Sequence, residues 1–347
     1  MSSTRHRLIQ LLVDTAEKDA YISGQQLSDQ LGISRTAVWK HMKDLEHDGF
    51  GVKAVPNKGY RIEQFPNTLS VNAIQWGLTT KWLGQSIIHK QTTTSTQFTA
   101  HEAAQSDAKH GTVVVANEQT AGRGRLNRKW QSTKDKGIWM SIILRPKILP
   151  HLAPQLTLLT ACAIAKVLRT DTSVDAQIKW PNDILINGKK VVGILTEMQA
   201  EQDQIQYVIV GIGINVNHTD EDLNDPLTER ATSLYQETGL TWSLVQIIHR
   251  ILDVFEDMYE IYLKQGFKPI KILWEQHAYR MNQLIRVTTH HHSEDVQFCG
   301  IADDGALLIE QAGDVRKIYS AEIDWDEKQD VAAAHEYGPP TVNEASD

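Results

Sequence analysis

A chain of 347 residues is long enough for two or three domains with sizeable cores. Its formal net charge of -8 excludes an indiscriminate nucleic-acid binder but leaves room for a local basic surface. Two cysteines, Cys162 and Cys299, both in apolar segments, predict free thiols in a reducing cytosol; with no leader-like segment and no run approaching transmembrane length, the expectation is a soluble cytoplasmic protein without a membrane partner.

Residues 5–20 predict a short amphipathic helix. Gly24 to Gly32 predicts a second, with Gly32 as its C-terminal cap. Ser34 predicts the N-cap of a third, running from Arg35 to Leu45. Val38, Met42 and Leu45 fall at helical spacing and face a core, which places Arg35, Thr36, Trp39, Lys40 and Lys43 together on the opposite face. Gly51 to Ile62 reads as a two-stranded wing turning at Pro56–Gly59. Residues 1–66 hold nine Lys/Arg against eight Asp/Glu, yet the cations gather on the third helix and the wing, Lys53 and Lys58 included. Helix pairs with charged outer faces are common in all-α domains. Phosphate contacts need local clustering rather than a high total, so DNA binding through a helix-turn-helix at residues 24–43 is the stronger reading.

Phe65-Pro66 marks a linker. The polar run Gln91-Thr-Thr-Thr-Ser-Thr-Gln97 reads by itself as a loop or an exposed strand. Thr112-Val-Val-Val-Ala116 predicts a buried strand, and off its end comes Glu118-Gln-Thr-Ala-Gly-Arg-Gly-Arg-Leu-Asn-Arg-Lys-Trp130. Gly122 and Gly124 permit close backbone approach, and Arg123, Arg125, Arg128 and Lys129 crowd four cations into seven residues. Such a loop is a candidate phosphate or adenylate clamp. A dinucleotide fingerprint would need a glycine where Asn127 stands and then a helix, whereas a strand, Trp139–Leu144, follows; a Walker loop would need Gly-Lys-Ser/Thr. A solvated basic loop explains neither the interleaved glycines nor the flanking Gln119 and Trp130.

Pro154 to Arg169 predicts a helix. Ile178-Lys-Trp-Pro-Asn-Asp-Ile184 then leads to a hairpin on Asn187-Gly188 and a strand from Val191 to Glu197. Lys179 beside Trp180 and Pro181 is either a snorkelling surface lysine or one that meets an anion. Tyr207–Asn217 predicts a strand ending in Gly-x-Gly-x-Asn, whose glycines fit close packing as well as a phosphate or metal contact at Asn215. Residues 218–240 read as a mobile loop, and Thr241–Gln265 as a long core helix stopped by Gly266. From Leu284 to Ile323 four short strands, with turns at His290–Asp295, Asp303–Gly305 and Gly313-Asp314, predict a small β-barrel. His290–His292 sits in the first turn, as a solvated tip or a metal site. The acidic tail 326–347 predicts disorder.

The arginine loop resembles that of the biotin–protein ligase family, Gln-x-Ala-Gly-Arg-Gly-Arg-x-Gly-Arg-x-Trp, with Asn127 in place of the usual glycine. Asn tolerates left-handed backbone, which implies that the loop shape survives. Two further matches follow in order. Ser95 and Thr96 match the family's Asp-Ser-Thr-Asn, with Thr94 and Gln97 at the outer positions, and Lys179–Asp183 matches Lys-Trp-Pro-Asn-Asp. The first helices and wing resemble those of the regulatory biotin ligases.

The resemblance implies a winged helix-turn-helix (1–66), a mixed-sheet α/β ligase domain of class II synthetase type (67–275) and an SH3-like barrel (276–325). It implies catalytic roles for Lys179, Arg123 and Arg125. Biotin contacts are implied at Ser95, Thr96, Gln97, Gln119, Arg123, Gly124, Arg125 and Lys179, and nucleotide contacts at Arg128, Trp130, Asn182 and Asn215. Biotin and ATP would be substrates with Mg²⁺ as cofactor, no protein side chain being assigned to the metal. The partners implied are the biotin carboxyl carrier protein of acetyl-CoA carboxylase, biotin operator DNA, and a second copy of the chain when the adenylate is bound. A biotin sensor without ligase activity would not need the arginine loop paired with Lys179. A lipoate-type ligase shares the fold and usually lacks the loop.

Overall fold

Capping chemistry sets the N-terminal helices. The structure, a computed structural model, describes residues 4–16, 20–47, 49–64, 69–223, 231–289 and 292–324. Helix α1 (Thr4–Ala16) is followed by α2 (Gly24–Leu31), where Ser23 Oγ accepts from the Gln26 N–H and Gln26 Oε1 accepts from the Ser23 N–H. Gly32, at φ 67°, ends α2, and Ser34 Oγ accepts from the Ala37 N–H to open α3 (Arg35–His47). Leu8, Leu12, Leu27, Val38, Met42 and Leu45 form one buried core, closed by Phe50 and by Ile62 of the hairpin β1 (Gly51–Val55) and β2 (Gly59–Gln64). Ile22 adds a further rung by exchanging backbone hydrogen bonds with Tyr60. Gly59, at φ 117°, makes room for it, since a Cβ there would lie 2.1 Å from the Ile22 carbonyl oxygen.

The central elements are α4 (Val71–Gln75), β3 (Ile87–Thr93), α5 (Thr96–Gln105), β4 (Thr112–Gln119), β5 (Gly137–Leu144) and α6 (Pro154–Thr172), followed by β6 (Ala176–Lys179), β7 (Asp183–Ile186), β8 (Lys189–Glu201), β9 (Gln204–Asn215), α7 (Leu234–Thr238), α8 (Leu244–Gln265) and α9 (Lys268–Gln276). The strands form a seven-stranded mixed sheet in the order β3-β4-β5-β9-β8-β7-β6. Only β3 and β4 run parallel. Every residue of β5 is buried, as its apolar run requires. Helix α5 lays Ala100 and Ala104 against Val114, Ile143 and Ile209 of the sheet.

Three expectations need correction. The run Gln91–Gln97 is an exposed strand only as far as Thr93, the end of β3; a short turn and the start of α5 follow. Its cap, Ser95, accepts from the Gln97 N–H. Residues 218–240 are not one mobile loop, because His218 is fully buried and Ser233 caps α7; residues 224–230 lie outside the described residues. One helix, Pro150–Thr172, is long and apolar enough to cross a membrane by length and composition, contrary to the first reading, but most of it is buried inside the fold. Lys179 ends β6 as a strand residue beside Trp180, and a turn at Trp180-Pro181-Asn182 with a cis Trp180–Pro181 bond pairs it with Asp183.

A second compact unit begins at Arg280. It is an antiparallel sheet of β10 (Leu284–Thr289), β11 (His292–Ile301), β12 (Leu307–Gln311), β13 (Asp314–Ile318) and β14 (Glu322–Asp324), in the order β13-β12-β11-β10-β14. There are five described strands where four were expected. The first turn is shorter than expected, since His292, Glu294 and Asp295 pair with Thr289, Val287 and Arg286. His290 and His291 and the tail 326–347 lie outside the described residues.

Candidate active site and nucleic-acid interface

A buried polar slot lies where α5 meets the sheet. Gln119 Oε1, at the end of β4, accepts from the Thr96 N–H at 2.8 Å and lies 3.2 Å from Thr96 Oγ1, while Gln119 Nε2 donates to Ser132 Oγ at 2.8 Å. Thr96 Oγ1 is 2.9 Å from Ser141 Oγ, which donates to Gln97 Oε1 at 3.1 Å. Gln97 Nε2 donates to the Leu195 and Ile209 carbonyls of β8 and β9. Ser95, Thr96, Gln97, Ser132 and Ser141 are all buried. Hydroxyls and amides held inside an apolar sheet can recognise a ligand's polar head, because each donor and acceptor left unpaired there is costly.

The arginine loop borders this slot at Gln119 and Ser132. A Cβ on Gly122 would come within 2.5 Å of the Trp130 carbonyl oxygen and 2.6 Å of Ser132 Oγ, so only glycine fits. The Gly124 N–H donates to the Arg128 carbonyl at 2.8 Å, and Leu126, at φ 55° and well exposed, supplies the left-handed residue that Asn127 was expected to provide. Arg123 Nη2 lies 3.4 Å from Glu197 Oε2. Arg125 Nη1 donates to Asn182 Oδ1 at 3.4 Å, and Asn182 Nδ2 to the Ile194 carbonyl. Burial lowers the Arg125 pKa from its ordinary value; Asp183 opposes that and Arg128 adds to it. Trp130 lies against the in-register pair Gly193 and Gly213, with Lys190 Nζ 5.1 Å from the ring centroid and 2.7 Å from Asp183.

The structure thus brings together Ser95, Thr96, Gln97 and Gln119, and joins Arg125 to Asn182. Arg128 is exposed on the loop, and Lys179 is half-buried at the end of β6, opposite Asp183. Asn215 is buried at the end of β9, and its Nδ2 donates to the Thr232 carbonyl. Sequence reasoning missed Ser132, Ser141, Glu197 and His101. Ser141 had a signal, a lone hydroxyl inside an otherwise apolar strand. Glu197 and His101 had none, because strand register and α5 bring them together.

On the N-terminal domain Arg35, Thr36, Trp39, Lys40 and Lys43 are all exposed on one face of α3, and Trp39 keeps 55% of its surface in solvent. Lys43 pairs with Glu46 and Lys53 with Glu63, each at 2.7–2.8 Å, and Lys58 Nζ lies 6.0 Å from the Tyr21 ring centroid. Glu63 raises the Lys53 pKa through its hydrogen bond and charge.

Comparison with known proteins places each domain in a family. Residues 87–215 match the family model of the Biotin/lipoate A/B protein ligase family, residues 5–61 that of an HTH domain, and residues 282–325 that of the Biotin protein ligase C terminal domain. Fold and site therefore define a biotin/lipoate-class ligase domain joined to a helix-turn-helix. The Bifunctional ligase/repressor BirA of Bacillus subtilis (strain 168) is 48% identical over 323 residues, covering 93% of this chain and 99% of that protein. The protein of the same name from Escherichia coli (strain K12) is 28% identical over 302 residues, covering 87% and 92%. A solved biotin protein ligase from Aquifex aeolicus in complex with biotin and ATP aligns with a TM-score of 0.59 at 30% identity, over 69% of this chain and 98% of that one. The chain belongs to the bifunctional biotin ligase/repressor family.

Proposed function

We propose that this protein is an ATP-dependent biotin–protein ligase that also acts as a transcriptional repressor. Biotin's carboxylate attacks the α-phosphorus of ATP to give biotinyl-5'-adenylate and pyrophosphate. A lysine amine of the biotin carboxyl carrier protein of acetyl-CoA carboxylase then attacks the adenylate carbonyl and releases AMP. Both steps bring anions or their partial charges together, so positioning and charge neutralisation supply the catalysis. The observation that carries this reading is Gln119, which bonds the buried Thr96 on one side and Ser132, under the arginine loop, on the other.

In this reading Ser95, Thr96, Gln97 and Gln119 hold biotin's ureido head. Arg123, Gly124, Arg125 and Lys179 meet its carboxylate and the α-phosphate, and Arg128, Trp130, Asn182 and Asn215 serve the nucleotide. Mg²⁺ enters on the ATP phosphates. Asp183, the carboxylate beside Asn182, is already committed to Lys190, a donor set that fits a cation keeping water and phosphate ligands. The face of α3 and the hairpin binds operator DNA, and the adenylate-bound protein does so as a homodimer in the cytoplasm. The working domain division is 1–66, 67–275 and 276–325. Incubation with biotin, ATP, Mg²⁺ and a carboxyl-carrier domain, followed by intact-mass analysis, should show one biotin added to the carrier; an unmodified carrier rejects the ligase reading.

A further inference from the structure

Glu197 of β8 stands in register with Ile209 of β9, and its Oε2 faces two cation-capable groups. Arg123 Nη2 approaches it to 3.4 Å from the loop, and His101 Nε2 to 3.1 Å from α5. His101 Nδ1 lies 3.4 Å from the Tyr207 hydroxyl, with the two rings edge-on at 5.7 Å. The carboxylate is therefore anchored on the side of α5 and the sheet, and it touches the loop through one long contact.

We propose that Glu197 is a built-in counter-ion for Arg123, holding the guanidinium until an anionic ligand takes it and thereby setting how tightly the site keeps biotin and its adenylate. This rests on the reading of Arg123 as a ligand-binding residue. The Arg123–Glu197 pair is weak on three counts: it is long, single-contact and partly exposed, with 39% and 32% of the two side chains in solvent. A guanidinium gains more from a short bond to a ligand carboxylate or phosphate, where two parallel N–H···O bonds can form. The exchange is favourable once the ligand arrives. Glu197 stays behind on His101 and competes with the ligand for the guanidinium. The same residue thus keeps the loop near the slot when the site is empty and weakens ligand retention when it is filled, which lets a product intermediate be handed on.

The test compares the wild-type chain with Glu197→Gln, Arg123→Ala and the double variant, using biotin and synthetic biotinyl-adenylate as probes. Glu197→Gln keeps an acceptor oxygen and removes the charge. It should bind biotin about 2- to 5-fold more tightly, the range expected for one exposed ion pair. Adenylate release should slow, and KM for biotin should fall with kcat for adenylation held. The gain should vanish in the Arg123→Ala background. Unchanged or weaker biotin binding in Glu197→Gln overturns the proposal, and so does a gain that persists without Arg123. If Arg123→Ala by itself leaves biotin binding and adenylation intact, the assignment of Arg123 fails, and the proposal with it.

Discussion

Trp130 rests on Gly213 so closely that a Cβ on the glycine would meet the indole Nε1 and Cε2 at 2.6 Å. The in-register partner Gly193 would meet the same ring at 2.8 Å. The second glycine of Gly-x-Gly-x-Asn is thus explained by packing, with the end of the arginine loop as what it packs. Gly213→Ala should displace Trp130 at an overpacking cost of about 1–3 kcal/mol. Adenylation should fall while unfolding stays cooperative. Thermal unfolding and adenylate synthesis measured on the same sample check this; a lowered midpoint with full adenylation would mean that the loop is anchored elsewhere.

Removing a group that stabilises developing charge in a ligand-filled site costs roughly 2.7–4 kcal/mol, or about 100- to 1,000-fold in rate. Arg123→Ala and Lys179→Ala should each slow adenylate synthesis on that scale with little change in folding. Arg123→Ala should also release bound adenylate faster, since the guanidinium is proposed to hold it. Pyrophosphate release and adenylate retention are the readouts. Near-normal rates in both variants would remove these residues from the chemistry.

Local signals made much of this legible. Gly32 and Ser34 bracket the turn between α2 and α3 by backbone requirements that hold in any fold. The interleaved glycines of residues 122–125 signalled a loop of close backbone approach for the same reason, as Gly122 shows. What the sequence hid depends on register. Glu197 reaches His101 only because β8 lies beside β9 and α5 packs over the sheet. Helix α5 itself was hidden, because its start is a Thr-rich run whose one structural clue, Ser95 as a cap, looks like any loop serine. Asn127 drew attention as a tolerant residue, yet the strained backbone falls on Leu126.

On the DNA-binding face, phosphate anchoring and base reading should separate. Lys58→Ala on the hairpin should weaken binding about equally on all sequences and lower the salt slope by roughly one. Lys53→Ala should act in the same way. Because Lys53 is paired with Glu63 in the free protein, Glu63→Gln should strengthen binding at low salt. Arg35→Ala at the start of α3 should instead relax discrimination among operator variants. Fluorescence anisotropy across a salt series on two operator variants decides; altered specificity from the hairpin variants alone would exchange the two roles.

His218 is fully buried, both its ring nitrogens lack a hydrogen-bond partner among the described residues, and burial pushes its pKa down to about 4. With a folded-state value below the ordinary 6.5, the unfolded chain binds the extra proton first as pH falls. Stability is therefore undiminished by this group above about pH 6.5 and declines as pH drops toward 4. Between pH 7.5 and 5 the loss should be about 2 kcal/mol. His110, His249 and His277 are shifted in the same direction by burial, so the wild-type slope is shared. His218→Leu should flatten the pH dependence of the denaturation midpoint by its own share. Parallel curves for variant and wild type would show that His218 does not carry it.

Ligand state should reach the DNA through dimerisation. The segment 1–66, with nine cations and eight anions, has too little excess charge for one copy to hold a specific site tightly. Two copies on two half-sites remedy that. If the adenylate orders the loop over the slot, it removes ordering entropy that dimerisation would otherwise meet, so adenylate should favour the dimer. Linkage then requires the dimer to bind adenylate more tightly by the same factor, about 5- to 150-fold for couplings of this kind. Carrier protein, which draws the biotin out of the adenylate, should reverse the effect. Sedimentation and operator binding should be measured for the apo protein, with biotin, with biotin and ATP, and after adding apo carrier domain. Operator affinity should be highest with biotin and ATP and should fall as carrier is added. Equal operator binding in every state would leave a ligase whose DNA-binding domain is uncoupled from its active site.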